Sequence, residues 1–235
     1  MIVGIMQPYF LPYIGYFQLL NYCDTFLIYD DIKYTKKGWI SRNRFQQNGE
    51  VRTFSLNLKS ASDYLEIRER ELAADFDRLK MIRSIEAAYR KAPYFEEMIN
   101  FLRPIVLFES NNLFSYLENS IYMACQYLGI TSKIIKTSEL EIEAGLRGQE
   151  RVLEFCNQLG AKQYINPIGG LDLYNHVSFD NRGIELKFIK SRLSPYSQGN
   201  SGFVPALSIV DQIAFCGSEQ MKSELETDFD LKGAE

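Results

Sequence analysis

The first thirty residues alternate between apolar runs and loop signals in an order that restricts the fold. Residues 2–6 form a short apolar run that ends at Gln7 and Pro8, and residues 14–22 have apolar positions at helical spacing. A second apolar run, residues 26–29, stops at a pair of aspartates. A strand, a helix and a strand in this order form a βαβ unit, whose strands pair in parallel through a right-handed crossover. The sequence therefore predicts an α/β fold built on a Rossmann-like parallel sheet.

A β-hairpin is predicted to follow this unit. Its arms are residues 39–45 and 51–58, and the connection contains the pair Asn48-Gly49. This pair tolerates the positive φ angles of a tight hairpin turn. The hairpin is therefore expected as an addition to the parallel sheet.

The centre of the chain has helical periodicity. One predicted helix ends before Pro93, and its apolar face consists of Leu72, Phe76, Leu79, Ile82, Ile85 and Tyr89. A second helix is predicted at 94–108 with an interruption at Pro104, and a third begins after Asn111 or Asn112 and closes at Gly129. We expect residues 1–235 to form a single domain, in which the helical segment at about 70–130 could be an insertion.

The rest of the chain returns to alternating strands and helices. Strands are predicted at 132–135, 163–165 and 184–189, and helices at 150–159 and 208–215. Ser208 is predicted to cap the last helix, with Asp211 three residues later in a capping-box arrangement. The acidic tail after Gly217 is expected to be only partly ordered.

The composition excludes several classes of protein. A formal net charge of −4 argues against a general nucleic-acid binder, which would carry a basic face. No apolar run approaches the roughly 18 residues that span a bilayer, and the start lacks the basic region and cleavage pattern of a signal peptide. Cys125 and Cys156 fall on apolar helix faces, so buried free thiols are expected and not disulfides or a zinc site. We therefore expect a cytoplasmic protein without a metal site.

Three loops are candidates for ligand binding because ligands of open parallel sheets bind beyond the carboxyl ends of the strands. These loops are residues 7–16, 30–37 and 166–174, and they are expected to meet at one edge. The binding candidates in the first loop are Gln7, Pro8, Tyr9, Tyr13, Gly15 and Tyr16. Gly15 opens a helix, whose N–H groups favour an anion, and the tyrosines could line a pocket. Alternatively, the loop only shapes a turn and the tyrosines pack in the core.

The second loop leads into a dense basic segment of an acidic protein. Its basic residues are Lys33, Lys36, Lys37, Arg42 and Arg44. Asp30 and Asp31 end a predicted strand, where they could bind Mg²⁺, act as a base or accept ribose hydroxyls. The two arginines share one strand face with Asn43 on the other, and an arginine pair suits bidentate recognition of phosphate or carboxylate. The alternative is a solvated charge run on a hairpin.

The third loop contains Asn166, Gly169 and Gly170, followed by Tyr174. The glycine pair permits close backbone approach to a sugar or nucleotide, although the loop could also be only a strand-to-helix turn. Residues 194–205 are polar and contain glycine, and could form a lid. The single histidine, His176, is more typical of a structural residue, and neither a Ser-His-Asp triad nor a nucleophilic cysteine motif is predicted.

Several of these motifs resemble the WbqC-like family. They are MQPYFLPYIGYF at 6–17, DTF at 24–26, DD at 30–31, RNR at 42–44, NPIGG at 166–170 and FVPALSIVD at 203–211. The resemblance spans most of the chain. Members of this family occur among genes for bacterial surface polysaccharides such as O-antigen, which implies an enzyme that tailors a sugar precursor.

A weaker, fold-level resemblance is to HIGH-motif nucleotidyltransferases and class I synthetases. The segment YIGY at 13–16 lies where those proteins have H-x-G-H, whose imidazoles stabilise a transferring phosphoryl group. A tyrosine carries no positive charge near neutral pH, so Lys36, Lys37 or Arg42 would have to supply it. This resemblance would imply ATP and Mg²⁺ as cofactors.

Three functions follow from the residues and the resemblances. The first is acyl or aminoacyl transfer to an amino sugar as its nucleotide-linked precursor, with phosphate held by Arg42 and Arg44 and with Asp30, Asp31 and Lys37 as catalytic candidates. The second is an ATP-dependent nucleotidyltransferase or adenylate-forming enzyme. The third is a non-catalytic binding protein of the polysaccharide assembly machinery, in which the tyrosine-rich loop is an interface.

Overall fold

The computed structural model describes residues 1–199 and 202–233 and confirms the predicted α/β fold. Within these residues one sheet contains the strands β1 (Ile2–Met6), β2 (Thr25–Ile28), β5 (Lys133–Lys136), β6 (Gln163–Pro167), β7 (Glu185–Ser191) and β8 (Phe229–Gly233). The order across the sheet is β5-β2-β1-β6-β7-β8, and β8 alone runs antiparallel to its neighbour. The strand order therefore reverses between β1 and β6, which is where open parallel sheets bind ligands.

The predicted βαβ unit is present at the start of the chain. Helix α1 (Ile14–Tyr22) joins β1 to β2, and the two strands pair in parallel with Val3 opposite Thr25. Close packing between α1 and β1 depends on Gly4, because a Cβ at this position would lie 2.5 Å from the Cys23 sulfur. Seven of the nine residues of α1 are buried, so the helix is held by core packing more than by capping, since no side chain caps its first turn.

The hairpin consists of β3 (Arg42–Gln47) and β4 (Glu50–Ser55), and its turn is formed by the predicted pair Asn48-Gly49. The strands extend closer to this pair than predicted, because Gln46 and Gln47 pair with Val51 and Glu50. Asn48 and Gly49 have φ angles of 53° and 82°, as the turn requires. Trp39, predicted to begin the first arm, lies outside the strand. The reason is local: the N–H of Gly38 donates to the carbonyl of Thr35 and closes a turn at residues 35–38, and the Arg42 guanidinium donates to the carbonyls of Lys37 and Gly38.

Three helices, α2 (Arg78–Tyr89), α3 (Phe95–Val106) and α4 (Leu113–Leu128), form the central segment. The predicted start of α2 was wrong, because Asp77 caps the helix through the N–H of Lys80 and the apolar residues before it lie in the preceding loop. Leu79 was also assigned wrongly to the buried face, since it is 55% exposed. Pro104 lies inside the last turns of α3 and does not interrupt it, whereas α4 is capped by Asn112 and closed by Gly129 as predicted.

The C-terminal part contains α5 (Gly148–Leu159), α6 (His176–Asp180) and α7 (Ile209–Thr227). The expectation of a short last helix and a partly ordered tail was wrong. Helix α7 bends at Gly217, whose φ is 67°, and continues because Met221 and Leu225 are buried; β8 then joins the sheet. Ser208 caps α7, but the carboxylate of Asp211 accepts hydrogen bonds from distant side chains and does not complete a capping box.

The sheet has an apolar cluster on each face. Helices α1 to α4 and α7 contribute to one cluster, and α5 and α6 contribute to the other. All four cysteines are buried free thiols, as the sequence predicts. No helix among the described residues combines the length and apolar character needed to cross a lipid bilayer.

Candidate ligand-binding cavity

A cavity of about 230 Å³ opens where the loop between β1 and α1 meets the β3–β4 hairpin. It is lined by Tyr9, Pro12, Tyr13, Trp39, Asn43, Arg44 and Ala206. The loop follows the carboxyl end of β1, and Tyr9 and Tyr13 pack against the core on the α1 face of the sheet. The cavity therefore lies beside the end of β1, with aromatic walls and one guanidinium.

The cavity loop is held in place by side chains from two other parts of the fold. Asn43 donates from its amide to the carbonyls of Leu11 and Phe10, at 2.8 Å and 3.3 Å. The hydroxyl of Ser208 donates to the same Leu11 carbonyl at 2.8 Å. Leu11 has a φ angle of 46°, which is unusual for a non-glycine residue and is maintained by these contacts. Asn43 lines the cavity, but its amide serves mainly to fix the loop.

Gly15 and Tyr16 have structural roles beside the cavity. A Cβ at Gly15 would collide with the ring of Tyr13 and with the hydroxyl of Ser191, so glycine lets Tyr13 lie directly against α1. Tyr16 is buried and donates its hydroxyl to the carbonyl of Gln7 at 3.1 Å. These residues and the buried Pro8 shape the loop, and the space next to Gly15 is filled by protein.

Trp39 and two arginines form the outer wall. The guanidinium carbons of Arg42 and Arg44 lie 5.5 Å and 5.4 Å from the centre of the Trp39 ring, which is consistent with cation–π contacts. Arg44 donates from Nη2 to the carbonyl of Ala206 at 3.1 Å, while its buried Nε has no partner among the described residues. Arg42 donates to the carbonyls of Lys37 and Gly38, in the turn next to Trp39. Arg44 is therefore the cation with unused donor capacity in this wall.

Asp30 and Asp31 lie outside the cavity lining and join three elements. Asp30 is 2% exposed and accepts hydrogen bonds from the hydroxyl and backbone N–H of Ser138, at 2.5 Å and 3.0 Å, and from the Thr137 hydroxyl at 3.2 Å. Asp31 accepts from Thr137 and forms a 2.6 Å ion pair with Arg151 of α5. Both carboxylates therefore tie the end of β2 to the end of β5 and to α5. Their predicted catalytic role stays a prediction, as does that of Lys37, which is exposed and not part of the lining.

The third predicted loop begins a 3₁₀ turn, Ile168–Leu173, at the end of β6. Asn166 donates to the hydroxyls of Tyr164 and Tyr174, at 2.8 Å and 3.4 Å. Gly170 is buried against the Asn166 side chain, whereas Gly169 is exposed. Tyr164 and Tyr174 pack with α5 and α6 on the sheet face opposite the cavity. The three loops share one edge of the sheet, but among the described residues only the first loop and the hairpin supply predicted residues to the cavity.

Comparison with known proteins places the chain in a family. The model of the WbqC-like protein family matches residues 7–223, a range that includes every residue of the cavity lining. The chain belongs to the WbqC-like protein family. It is 30% identical over 220 residues to the uncharacterized protein Rv1507c of Mycobacterium tuberculosis (strain ATCC 25618 / H37Rv), covering 92% of this chain and 94% of that protein. No solved structure matches the chain significantly.

The two cavity phenols of this WbqC-like protein, Tyr9 and Tyr13, stay neutral at physiological pH. Burial raises the pKa of Tyr9 and Tyr13 above the ordinary value of 10.0, and a hydrogen bond with Ser191 offsets part of the rise at Tyr13. Neutral phenols donate hydrogen bonds to a ligand. The cavity of this WbqC-like protein therefore combines stacking surfaces, neutral donors and one guanidinium.

Three residues of the cavity lining of this WbqC-like protein were not among the predicted site residues: Pro12, which lies in the first predicted loop, Trp39 and Ala206. Trp39 is the only tryptophan and lies between Lys37 and Arg42 in the basic segment, so its type and position were a usable signal. Ala206 has no such signal, because its backbone carbonyl makes the contact with Arg44. A further missed contact is the ion pair of Arg151 with Asp31, which depends on where α5 packs.

The stability of this WbqC-like protein is expected to fall above about pH 10. Burial raises the pKa of Tyr16, Tyr89 and Tyr164 well above the ordinary 10.0. Above that value the unfolded chain loses protons that the folded chain keeps, so the free energy of unfolding decreases as the pH rises; below it these phenols have no effect. Urea unfolding across neutral and alkaline pH, with tyrosinate absorbance, measures this. Titration of every tyrosine near the ordinary value in the native protein would contradict it.

Proposed function

We propose that this WbqC-like protein binds a nucleotide-linked amino sugar in the cavity and transfers an acyl or aminoacyl group to the sugar amine. The observation that carries the proposal is the combination of Tyr9, Tyr13 and Trp39 with the partly unpartnered guanidinium of Arg44 around one cavity. The resemblance to a family whose members occur among surface-polysaccharide genes supports the class of substrate.

The size of the cavity supports a ligand that is only partly enclosed. Pockets that enclose a drug-sized molecule have volumes of roughly 300–1,000 Å³. The 230 Å³ cavity is smaller and fits one ring. Trp39 is 42% exposed at the rim, so it offers an aromatic surface on which the remainder of the ligand can lie.

The charge of the wall supports an anionic group on the ligand. A guanidinium binds phosphate through several N–H donors, and Arg44 has used Nη2 for a backbone carbonyl while Nε is buried without a partner. The Nη1 group of Arg44 makes no hydrogen bond among the described residues and can donate to a ligand oxygen, whereas Nε is enclosed by protein. This favours a phosphate-bearing ligand over a neutral sugar.

The proposed chemistry depends on hydrogen-bond donation. In acyl transfer from a thioester donor the sugar amine attacks the carbonyl carbon, and negative charge develops on the carbonyl oxygen. The C–S bond then breaks, so that the amide forms, the thiolate leaves, and the amine proton passes to the thiolate or to solvent. The neutral phenols of Tyr9 and Tyr13 are suited to donate to that oxygen. The described lining contains no carboxylate, histidine or cysteine, so the cavity itself offers no conventional base. This last observation favours, as a second candidate, a binding protein that holds the same ligand without transfer.

A thermal-shift panel of nucleotide-sugars, including UDP-glucosamine and UDP-N-acetylglucosamine, tests the proposal. A nucleotide-sugar that binds, present at a concentration of about 100 times its Kd, stabilises the fold by about 2.7 kcal/mol. For a chain of this length this raises Tm by roughly 5–10 °C. Mass spectrometry of UDP-glucosamine incubated with acyl thioester donors then separates transfer from binding alone. Pyrophosphate release with ATP and candidate acids would support the adenylate-forming alternative. No stabilisation across the panel contradicts the proposal.

A further inference from the structure

Asp211, in the first turn of α7, is a fully buried carboxylate that accepts hydrogen bonds from three side chains. The hydroxyls of Tyr89 and Tyr196 donate to it at 2.7 Å each, and the Gln198 amide donates at 3.0 Å. Tyr89 ends α2, whereas the other two lie in the segment between β7 and α7. One carboxylate therefore joins α2, this connecting segment and α7.

The first connection from Asp211 to the cavity runs through the hairpin. The Tyr89 hydroxyl that donates to Asp211 also accepts the backbone N–H of Gln46 at 3.3 Å. Gln46 lies on β3 two residues after Arg44, on the same strand face by the alternation of a β-strand. Its amide in turn donates to the carbonyl of Gly202 at 3.3 Å. Tyr89 and Gln46 therefore join the hairpin strand to the end of the connecting segment.

The second connection runs along the chain to Ala206. Gln198 bonds Asp211 and also makes two hydrogen bonds with the backbone of Val204, one donated at 3.0 Å and one accepted at 2.7 Å. Two residues later, Ala206 has a φ angle of 53° and its carbonyl accepts from Arg44. The left-handed backbone at an alanine needs external support, which the bonds at Val204 supply next to it.

We infer that Asp211 is a positioning residue for the ligand cavity, which fixes the Trp39–Arg44 wall through the hairpin strand and through Ala206. The inference rests on the proposed function for the identity of the ligand but not for the geometry. Asp211 does not line the cavity, so it acts only through other residues. Loss of its hydrogen bonds lets the Ala206 carbonyl and β3 shift, and Arg44 then no longer holds its place against Trp39.

The fluorescence of Trp39 tests the inference without any ligand, because it is the only tryptophan in the chain. In Asp211→Asn we expect a shifted emission maximum and stronger quenching by acrylamide. Tyr196→Phe removes a single hydrogen bond to Asp211 and is expected to show a smaller change in the same direction. If Asp211→Asn folds poorly, this variant still tests the inference. With UDP-N-acetylglucosamine, if it binds the wild type, both variants are expected to raise Kd, by roughly tenfold for Asp211→Asn.

Tyr164→Phe is the matched control, because it also removes a buried tyrosine hydroxyl, bonded to Asn166 and Tyr174 on the opposite sheet face. It is expected to lower Tm and leave Trp39 fluorescence unchanged. Equal loss of Tm in all variants with no change in Trp39 emission or quenching overturns the inference and leaves Asp211 a stabilising residue only. A changed Trp39 signal in a protein that binds no nucleotide-sugar supports the inference while contradicting the proposed function.

Discussion

Arg44→Ala is expected to weaken binding of a nucleotide-sugar roughly 10- to 100-fold, because a hydrogen bond to a charged group contributes about 1.5–3 kcal/mol. Arg44 is the cation of the cavity lining, and its buried Nε has no partner among the described residues. Titration of Trp39 fluorescence with the tightest binder of the panel measures the effect. Arg42→Ala is expected to have a smaller effect, through the turn that carries Trp39.

Arg52→Ala is the control for this prediction. Arg52 lies on β4 of the same hairpin, its side chain is 53% exposed, and it approaches Glu50 at 3.6 Å. Its removal changes the net charge by the same amount as Arg44→Ala but leaves the cavity wall intact. Equal loss of affinity in the two variants would mean that the arginines act through overall charge and that Arg44 is not a specific ligand contact.

Asp30→Ala is expected to lower the free energy of unfolding by about 3 kcal/mol, because it leaves the hydroxyl and the backbone N–H of Ser138 without their buried acceptor, whereas the Thr137 hydroxyl keeps Asp31. For a chain of this length that corresponds to a fall in Tm of roughly 6–12 °C. The hydrogen bonds that are lost join the end of β2 to the end of the neighbouring strand β5. Urea unfolding, followed by far-UV circular dichroism, measures it.

Asp172→Ala and Asp30→Asn complete this test. Asp172 is exposed near the same edge of the sheet, so its removal is expected to leave Tm unchanged. Asp30→Asn keeps the size of the side chain and is expected to fold and to bind the nucleotide-sugar with wild-type affinity. If Asp30→Asn keeps its stability and binding but loses transfer, Asp30 is the catalytic base that the sequence suggests.

The elements that could be predicted are those whose signals are local. The apolar runs around α1 and the Asn48-Gly49 turn each depend on neighbouring residues, and both are confirmed. The continuation of α7 was missed because Met221 and Leu225 are isolated apolar residues in an acidic stretch after Gly217. Only the core against which they pack shows that this stretch is helical.

The candidate site was predicted only in part, because its segments have local sequence signals whereas the contacts between them do not. The first loop and the strand 42–44 were predicted as binding segments, and both line the cavity, but their contact through Asn43 and Leu11 depends on where the hairpin packs. The expectation that residues 166–174 meet the other two loops assumed that loops at one edge of a sheet must contact one another. In the structure Tyr174 of that loop packs on the opposite face of the sheet. The pairing of β2 with β5, which brings the hydrogen-bond donors of Ser138 to Asp30, was not predicted.

A crystal structure with the tightest-binding nucleotide-sugar of the panel tests the central claim most directly. We expect a ring of the ligand between Tyr13 and Trp39, with a phosphate oxygen accepting a hydrogen bond from Arg44. A ligand bound instead beside the ion pair of Asp31 and Arg151, with the cavity empty, would contradict it.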